Sequence, residues 1–308
     1  MTRRERACVK AAELSLNLGE LFLYVPFARR HKGIAKFRNE RYAPQGRRAR
    51  LDIFFKDAAN GKPLFIYIHG GGFVSGLKNN RRFYCYNWAD KGYVAVNIDY
   101  DYALNARHPE HLRQIFKGVE YALDRAAELG ADTDRIVVAG DSAGGYFAAM
   151  IAAAASHRGI YDYFGIEFKY RDTFTVAACV TVSAVVDPMR SVATGFPQME
   201  LFAKAFFDMS KAELKAAADS EFVRRSSPDF YADEKFPPTF VIGSSADKLL
   251  SESEIFRDKL AASGVMHGFY LCGGVSAVHA GGLACELSAS GKEALEKAQK
   301  FAAEALEL

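Results

Sequence analysis

The sequence predicts an α/β sandwich, a mostly parallel sheet with helices on both faces. From about residue 50, short apolar runs rich in Val, Ile and Phe alternate with segments of helical periodicity, the pattern of a chain that lays helices between sheet strands. The runs are continuously apolar rather than alternating, which suits strands buried on both faces. With 308 residues, half of them hydrophobic, the chain can bury a large core.

The expected strands are RLDIFF (50–55), LFIYI (64–68), VAVNI (94–98), IVVA (136–139), VAACVTV (176–182), TFVIG (239–243) and GFYLC (268–272). Between them, HLRQIFKGVEYALDRAAELG places Leu112, Phe116, Val119 and Leu123 on one helical face and stops at Gly130. Further helices are expected over 142–155, 247–264 and 291–306.

Two regions break the rhythm. Residues 1–48 precede the first expected strand and read as N-terminal cap helices, with Leu14, Leu18, Leu21, Phe22 and Val25 forming an apolar face toward the body as far as Pro26. Residues 188–235, helical and rich in Phe, are too long for a loop and read as an inserted cap segment. The catalytic domain would then comprise residues 49–187 and 236–308. Glu13, Asn17 and Glu20 interrupt the apolar run near the N-terminus, which argues against a signal peptide, and no stretch reaches the ~20 apolar residues of a membrane span.

The first 50 residues hold thirteen Lys and Arg against four Glu, yet the net charge of the chain is only +3. These cations are spread among apolar residues, as on a solvated helical segment, and no nucleic-acid-binding motif accompanies them. Cys8, Cys85, Cys179, Cys272 and Cys285 are widely spaced and odd in number, so neither a disulfide framework nor a zinc site is expected and a cytoplasmic setting is the default.

The chemistry starts at Gly140-Asp141-Ser142-Ala143-Gly144, between the run IVVA and an Ala-rich helix. A serine on a tight strand-to-helix turn projects its hydroxyl, and the residues two before and two after must be small for strand and helix to approach. His69-Gly70-Gly71-Gly72 directly follows LFIYI; consecutive glycines can turn their N–H groups toward one point, as an oxyanion requires. His108 and His111, either side of Pro109 and Glu110, read as surface residues, and His31 and His157 lie in polar surroundings.

Together, YIHGGGFVSG (67–76), TDRIVVAGDSAGG (133–145), SSPDFY (226–231) and PPTFVIGSSADKL (237–249) resemble the hormone-sensitive-lipase-like family of α/β-hydrolase esterases, and the likeness runs from about residue 50 to the C-terminus. The resemblance implies the α/β-hydrolase fold, Ser142 as nucleophile, the N–H groups of Gly71, Gly72 and Ala143 as the oxyanion hole, and His69 as a shaper of the glycine loop. The chain departs from the family at 100–105, where Tyr-Asp-Tyr-Ala-Leu-Asn replaces Y-R-L-A-P-E, a difference that bears on the packing under that loop.

The acid must lie between serine and histidine in chain order, and both Asp187 and Asp247 end expected strands. Asp187 precedes Pro188 and opens the insert, which suits a turn or cap; Asp247, in GSSADKL, matches the family's acid by resemblance. Of two candidate bases, His267 sits in an H-G-F string but at the start of the last strand, the wrong end of a parallel sheet for catalysis. His279 follows that strand, 32 residues after Asp247, at the end where catalytic groups of such sheets gather.

The expected protein is a serine carboxylesterase acting on short-acyl esters of small molecules, without metal or cofactor. By resemblance, the cap limits acyl length and the glycine loop admits bulky alcohols. An amidase or deacetylase would use the same triad, and a non-catalytic receptor on this fold would have lost the base that His279 supplies. A homodimer is compatible with this reading.

Overall fold

The computed structural model describes residues 1–24 and 31–307, without the side chains of 19–24. Its sheet has eight strands: β1 (Ile34–Arg41), β2 (Arg50–Lys56), β3 (Pro63–Ile68), β4 (Val94–Ile98), β5 (Asp132–Asp141), β6 (Ala178–Val182), β7 (Thr239–Ser244) and β8 (His267–Cys272), in the spatial order β1-β2-β4-β3-β5-β6-β7-β8. β1 and β2 pair antiparallel at one edge; from β4 to β8 every pairing is parallel. All seven expected strands are present, within a few residues of their predicted ends.

Side chains alternate along each strand, so each helical layer receives its own half of the sheet. Leu64, Ile66 and Ile68 of β3 join one core with α3 (Glu110–Glu128), α4 (Ala143–Ser156) and α9 (Leu250–Ala262). Phe65 and Tyr67 point the other way, into a core with α2 (Arg82–Asp90) and α10 (Ala289–Ala305). There Phe65 stacks on Trp88 of α2, ring centroids 4.1 Å apart.

The N-terminal region differs from expectation in two respects. It is not wholly helical, because residues 34–41 form β1 of the sheet. IAKFRNER escapes a reading tuned to apolar runs because an edge strand buries little and carries charge along its open side. Helix α1 (Arg3–Tyr24) is present, but Leu14 and Leu18 are 63% and 49% exposed, while Val9 and Ala12 are buried against the body. The side chains of Leu21 and Phe22, together with Val25 and Pro26, lie outside the described residues.

Between β6 and β7 the insert forms a 3-10 turn at 190–194, three helices, α6 (Met199–Phe207), α7 (Lys211–Ala217) and α8 (Glu221–Arg225), and a 3-10 turn at 228–231. Its two ends are tied together by Arg190, which bonds the fully buried Glu252 of α9 and also Asp229 at 2.8 Å. The Lys204 ammonium of α6 meets Glu5 of α1 at 2.6 Å. Among the described residues no helix is long and apolar enough to cross a membrane, and the five cysteines are unpaired.

Candidate active site

Ser142 stands at the turn from β5 into α4 with φ 53° and ψ −120°, a left-handed conformation that a residue with a β-carbon holds only when its surroundings enforce it. Close approach supplies that enforcement. A β-carbon on Gly140 would come within 2.2 Å of the Gly144 carbonyl oxygen, and one on Gly144 within 2.1 Å of that of Ile68, so strand and helix meet only through glycine.

The glycine loop leaves the neighbouring strand β3 and is pinned from below. Gly70 N–H donates to Asp141 Oδ1 at 3.0 Å, and Tyr67 hydroxyl donates to the same oxygen at 2.6 Å. Arg81 completes the arrangement, with Nη2 2.9 Å and Nε 3.1 Å from the carboxylate. Burial pushes the Asp141 carboxyl up, but the Arg81 charge and the hydrogen bonds from Arg81, Tyr67 and Gly70 outweigh it, so its pKa lies below the ordinary aspartate value.

His69, fully buried, is a loop shaper. Nε2 lies 3.0 Å from Asp99 Oδ1, Nδ1 2.8 Å from the Gly70 carbonyl, and the ring stacks on Tyr100 at 4.5 Å. In the stretch that departs from the family, Tyr100 hydroxyl donates to the His69 carbonyl at 2.9 Å and Tyr102 hydroxyl to that of Gly76, so tyrosines brace the loop from beneath. Gly71 and Gly72, with φ of 128° and 59°, leave their N–H groups without an acceptor among the described residues, as does Ala143. Three donors are thereby free beside Ser142.

The structure brings Asp247 and His279 together: Nδ1 of the imidazole lies 2.8 Å from Asp247 Oδ2, and Oδ1 accepts the Leu249 N–H at 2.9 Å. Burial pushes the Asp247 carboxyl up, but His279, the Leu249 amide and the Ser183 hydroxyl outweigh it, and its pKa falls below the ordinary value. With Nδ1 committed to the carboxylate, Nε2 of His279 is the nitrogen left for proton exchange. Asp187 instead caps the first turn of the insert, accepting from the Met189 and Arg190 amides at 2.9 Å each. His267 pairs with Thr239, the first residue of β7, at the opposite end of the sheet, and its Nδ1 faces the Val265 carbonyl.

Ser142, His279, Gly71 and Gly72 line one cavity of about 170 Å³, walled also by Leu16 of α1 and by Phe196 and Phe202 of the insert. Sequence reasoning missed Arg81 and Tyr67 because their role depends on distant partners. It also misplaced His108 and His111, which are buried between α3 and the insert. His108 contacts Ser226 Oγ at 2.8 Å and stacks on Phe206, as does His111. Burial drives the pKa of His108 far below the usual histidine value and that of His111 down to about 3. Proline and glutamate between them suggested a surface turn; the Phe-rich insert covers it.

A parallel sheet with a strained serine at its carboxyl edge, a glycine loop beside it and a helical insert above makes this chain an α/β-hydrolase of the hormone-sensitive-lipase-like kind. A family model described as BD-FAE matches residues 51–260, well over half of the chain. The chain belongs to the BD-FAE family.

Human hormone-sensitive lipase is 30% identical over 176 residues, 56% of this chain and 16% of that protein. The esterase LipQ of Mycobacterium tuberculosis (strain ATCC 25618 / H37Rv) is 24% identical over 229 residues, 72% of this chain and 52% of that protein. The chain therefore spans only a part of the length of these relatives. Among solved structures, esterase B from Lactobacillus rhamnosis (HN001) shares the fold with a TM-score of 0.82 at 20% identity, covering 99% of this chain and 96% of that one. A second structure of esterase B, with a C4-C4 SN3 tributyrin phosphonate inhibitor, matches with the same score at 18% identity, covering 100% and 97%.

Proposed function

We propose that the chain is a serine carboxylesterase of short-acyl esters, with Ser142, His279 and Asp247 as its triad and helix α1, from the 1–48 cap region, together with residues 188–235 forming the cap over it. The observation that carries this reading is the 2.8 Å bond between His279 and Asp247 in the cavity that also holds the strained Ser142. His279 Nε2 takes the Ser142 hydroxyl proton as Oγ attacks the ester carbonyl, and Asp247 stabilises the imidazolium that forms. The N–H groups of Gly71, Gly72 and Ala143 receive the tetrahedral oxyanion, with further support from the N-terminus of α4.

When the intermediate collapses, His279 returns the proton to the departing alcohol and leaves an acyl-enzyme on Ser142. The same imidazole then takes a proton from water, whose attack releases the acid. The small cavity, about 170 Å³, supports a short acyl chain. The butyryl-type phosphonate on esterase B fits this size class by analogy of fold.

Turnover of p-nitrophenyl acetate, butyrate, octanoate and dodecanoate tests the reading. Activity should fall steeply beyond butyrate, and Ser142→Ala or His279→Ala should lower turnover by on the order of a thousandfold or more. Normal turnover by His279→Ala together with loss in His267→Ala would reverse the assignment of the base.

A further inference from the structure

Val182 at the end of β6 and Ser183 and Val185 in the turn after it contact the nucleophile, the strand leading to the acid and the segment after the base. Ser142 N–H donates to the Val182 carbonyl at 2.8 Å, and the Ser142 carbonyl accepts from Val185 N–H at 3.2 Å, so this turn grips the backbone of the serine from both sides. Ser183 N–H donates at 2.8 Å to the carbonyl of Ile242 in β7, the strand that leads to Asp247. Ser183 Oγ accepts at 3.2 Å the N–H of Ala280, the residue after His279.

Ser183 is fully buried and holds φ at 47°, a conformation that glycine adopts freely and serine does not. The chain therefore keeps a side chain where backbone geometry alone would favour none. What that side chain adds is one hydroxyl, whose oxygen accepts the Ala280 amide, the first main-chain N–H after His279.

We propose that Ser183 is a positioning residue: its hydroxyl ties the segment carrying His279 to the turn that grips Ser142 and so fixes the spacing of base and nucleophile. The proposal rests on the triad reading above. The acid's segment is already joined to the loop of His279 by the Ala246 amide on the Ala277 carbonyl at 2.8 Å, whereas the link between that loop and the turn holding Ser142 runs through the Ser183 hydroxyl. Ala280 itself has φ 56°, so the segment after the base is held in a strained form that a single amide bond to Ser183 helps to secure. Small misplacements of this kind act on turnover more than on binding, because they alter the geometry of proton transfer.

Two variants separate the hydroxyl from the backbone. Ser183→Ala removes the hydroxyl and keeps the β-carbon; Ser183→Gly removes both and relieves the strained φ, so it should fold at least as well. Both should lower kcat for p-nitrophenyl butyrate by about 10- to 100-fold with KM within about twofold. In the same proteins, the downfield proton resonance of His279 Nδ1, identified by its loss in His279→Ala, should shift or broaden. Wild-type kcat in either folded variant, or a loss confined to KM, would overturn the proposal. If the wild type turned over no ester, the functional reading would fail, and the resonance would still decide on Ser183: an unchanged signal in Ser183→Ala would refute its role.

Discussion

The ring of Phe196, from the insert, stands edge-on to the imidazole of His279, with centroids 4.6 Å apart and planes at 63°. His279 is thus held on one side by the Asp247 carboxylate and on the other by a residue of the insert, which also walls the cavity. Aromatic pairs of this kind contribute roughly 0.5–1.5 kcal/mol beyond their buried area. Phe196→Ala should therefore lower kcat for butyrate esters about tenfold, the rate equivalent of ~1.4 kcal/mol, while narrowing the gap between butyrate and octanoate. Measured kcat and KM across the acyl series check this; unchanged selectivity would show that Phe196 does not bound the acyl site.

Arg81 and Asp141 form a buried ion pair beneath the glycine loop, with the Gly70 amide and the Tyr67 hydroxyl on the same carboxylate. Removing the cation leaves a buried charge, which costs about 3–5 kcal/mol. Arg81→Met should be destabilised by that amount in urea unfolding. The double variant Arg81→Met/Asp141→Asn should recover much of the loss, since it buries no unpaired charge. Additive losses in the two single variants and the double would show that the residues act independently.

Helix α1 docks through Val9 and Ala12, whereas Leu14 and Leu18 face outward. Val9→Asp should destabilise the helix by more than about 2 kcal/mol, because a charge would enter a closed apolar contact. Leu14→Gln and Leu18→Gln should stay within about 0.5 kcal/mol of wild type. Hydrogen exchange of the α1 amides provides the measurement, and a large effect at Leu14 would restore the face that helical spacing suggested.

The parallel sheet was legible because buried strands carry continuous apolar runs, and the ends of those runs put Ser142, Asp187, Asp247 and His279 at one edge, with the family resemblance singling out Asp247 from Asp187. His279 was set apart from His267 by strand direction, since only one of them follows the last strand, and by the 32 residues between it and Asp247, room for a helix and a strand. β1 was not legible, because the same edge position that spares it burial also removes its apolar signature. Arg81, Tyr67 and Ser183 were invisible for another reason. Each acts through a partner between 60 and 97 residues away, and no local pattern encodes such a pairing. His108 and His111 were misread because their burial comes from Phe206 and Ser226 of the insert, a contact made only in the folded chain.

Those two histidines set a pH dependence of stability. An unfolded histidine takes up a proton near pH 6.5, whereas burial holds folded His111 neutral down to about 3 and depresses His108 in the same direction. Between those limits the unfolded chain binds more protons than the folded one, so stability is fully present above pH 6.5 and declines as the pH is lowered below it. Each histidine adds about 1.4 kcal/mol of loss per pH unit in that window. Both ring nitrogens of His111 lack a partner among the described residues, and its ring stacks on Phe206, so His111→Leu removes no hydrogen bond seen there and should leave stability at pH 7 near that of wild type. Urea midpoints at pH 7, 6 and 5 should then fall less steeply in His111→Leu than in wild type, by the contribution of one histidine. Parallel slopes in the two proteins would mean that His111 is charged in the folded state and that the contact between α3 and the insert is open to water.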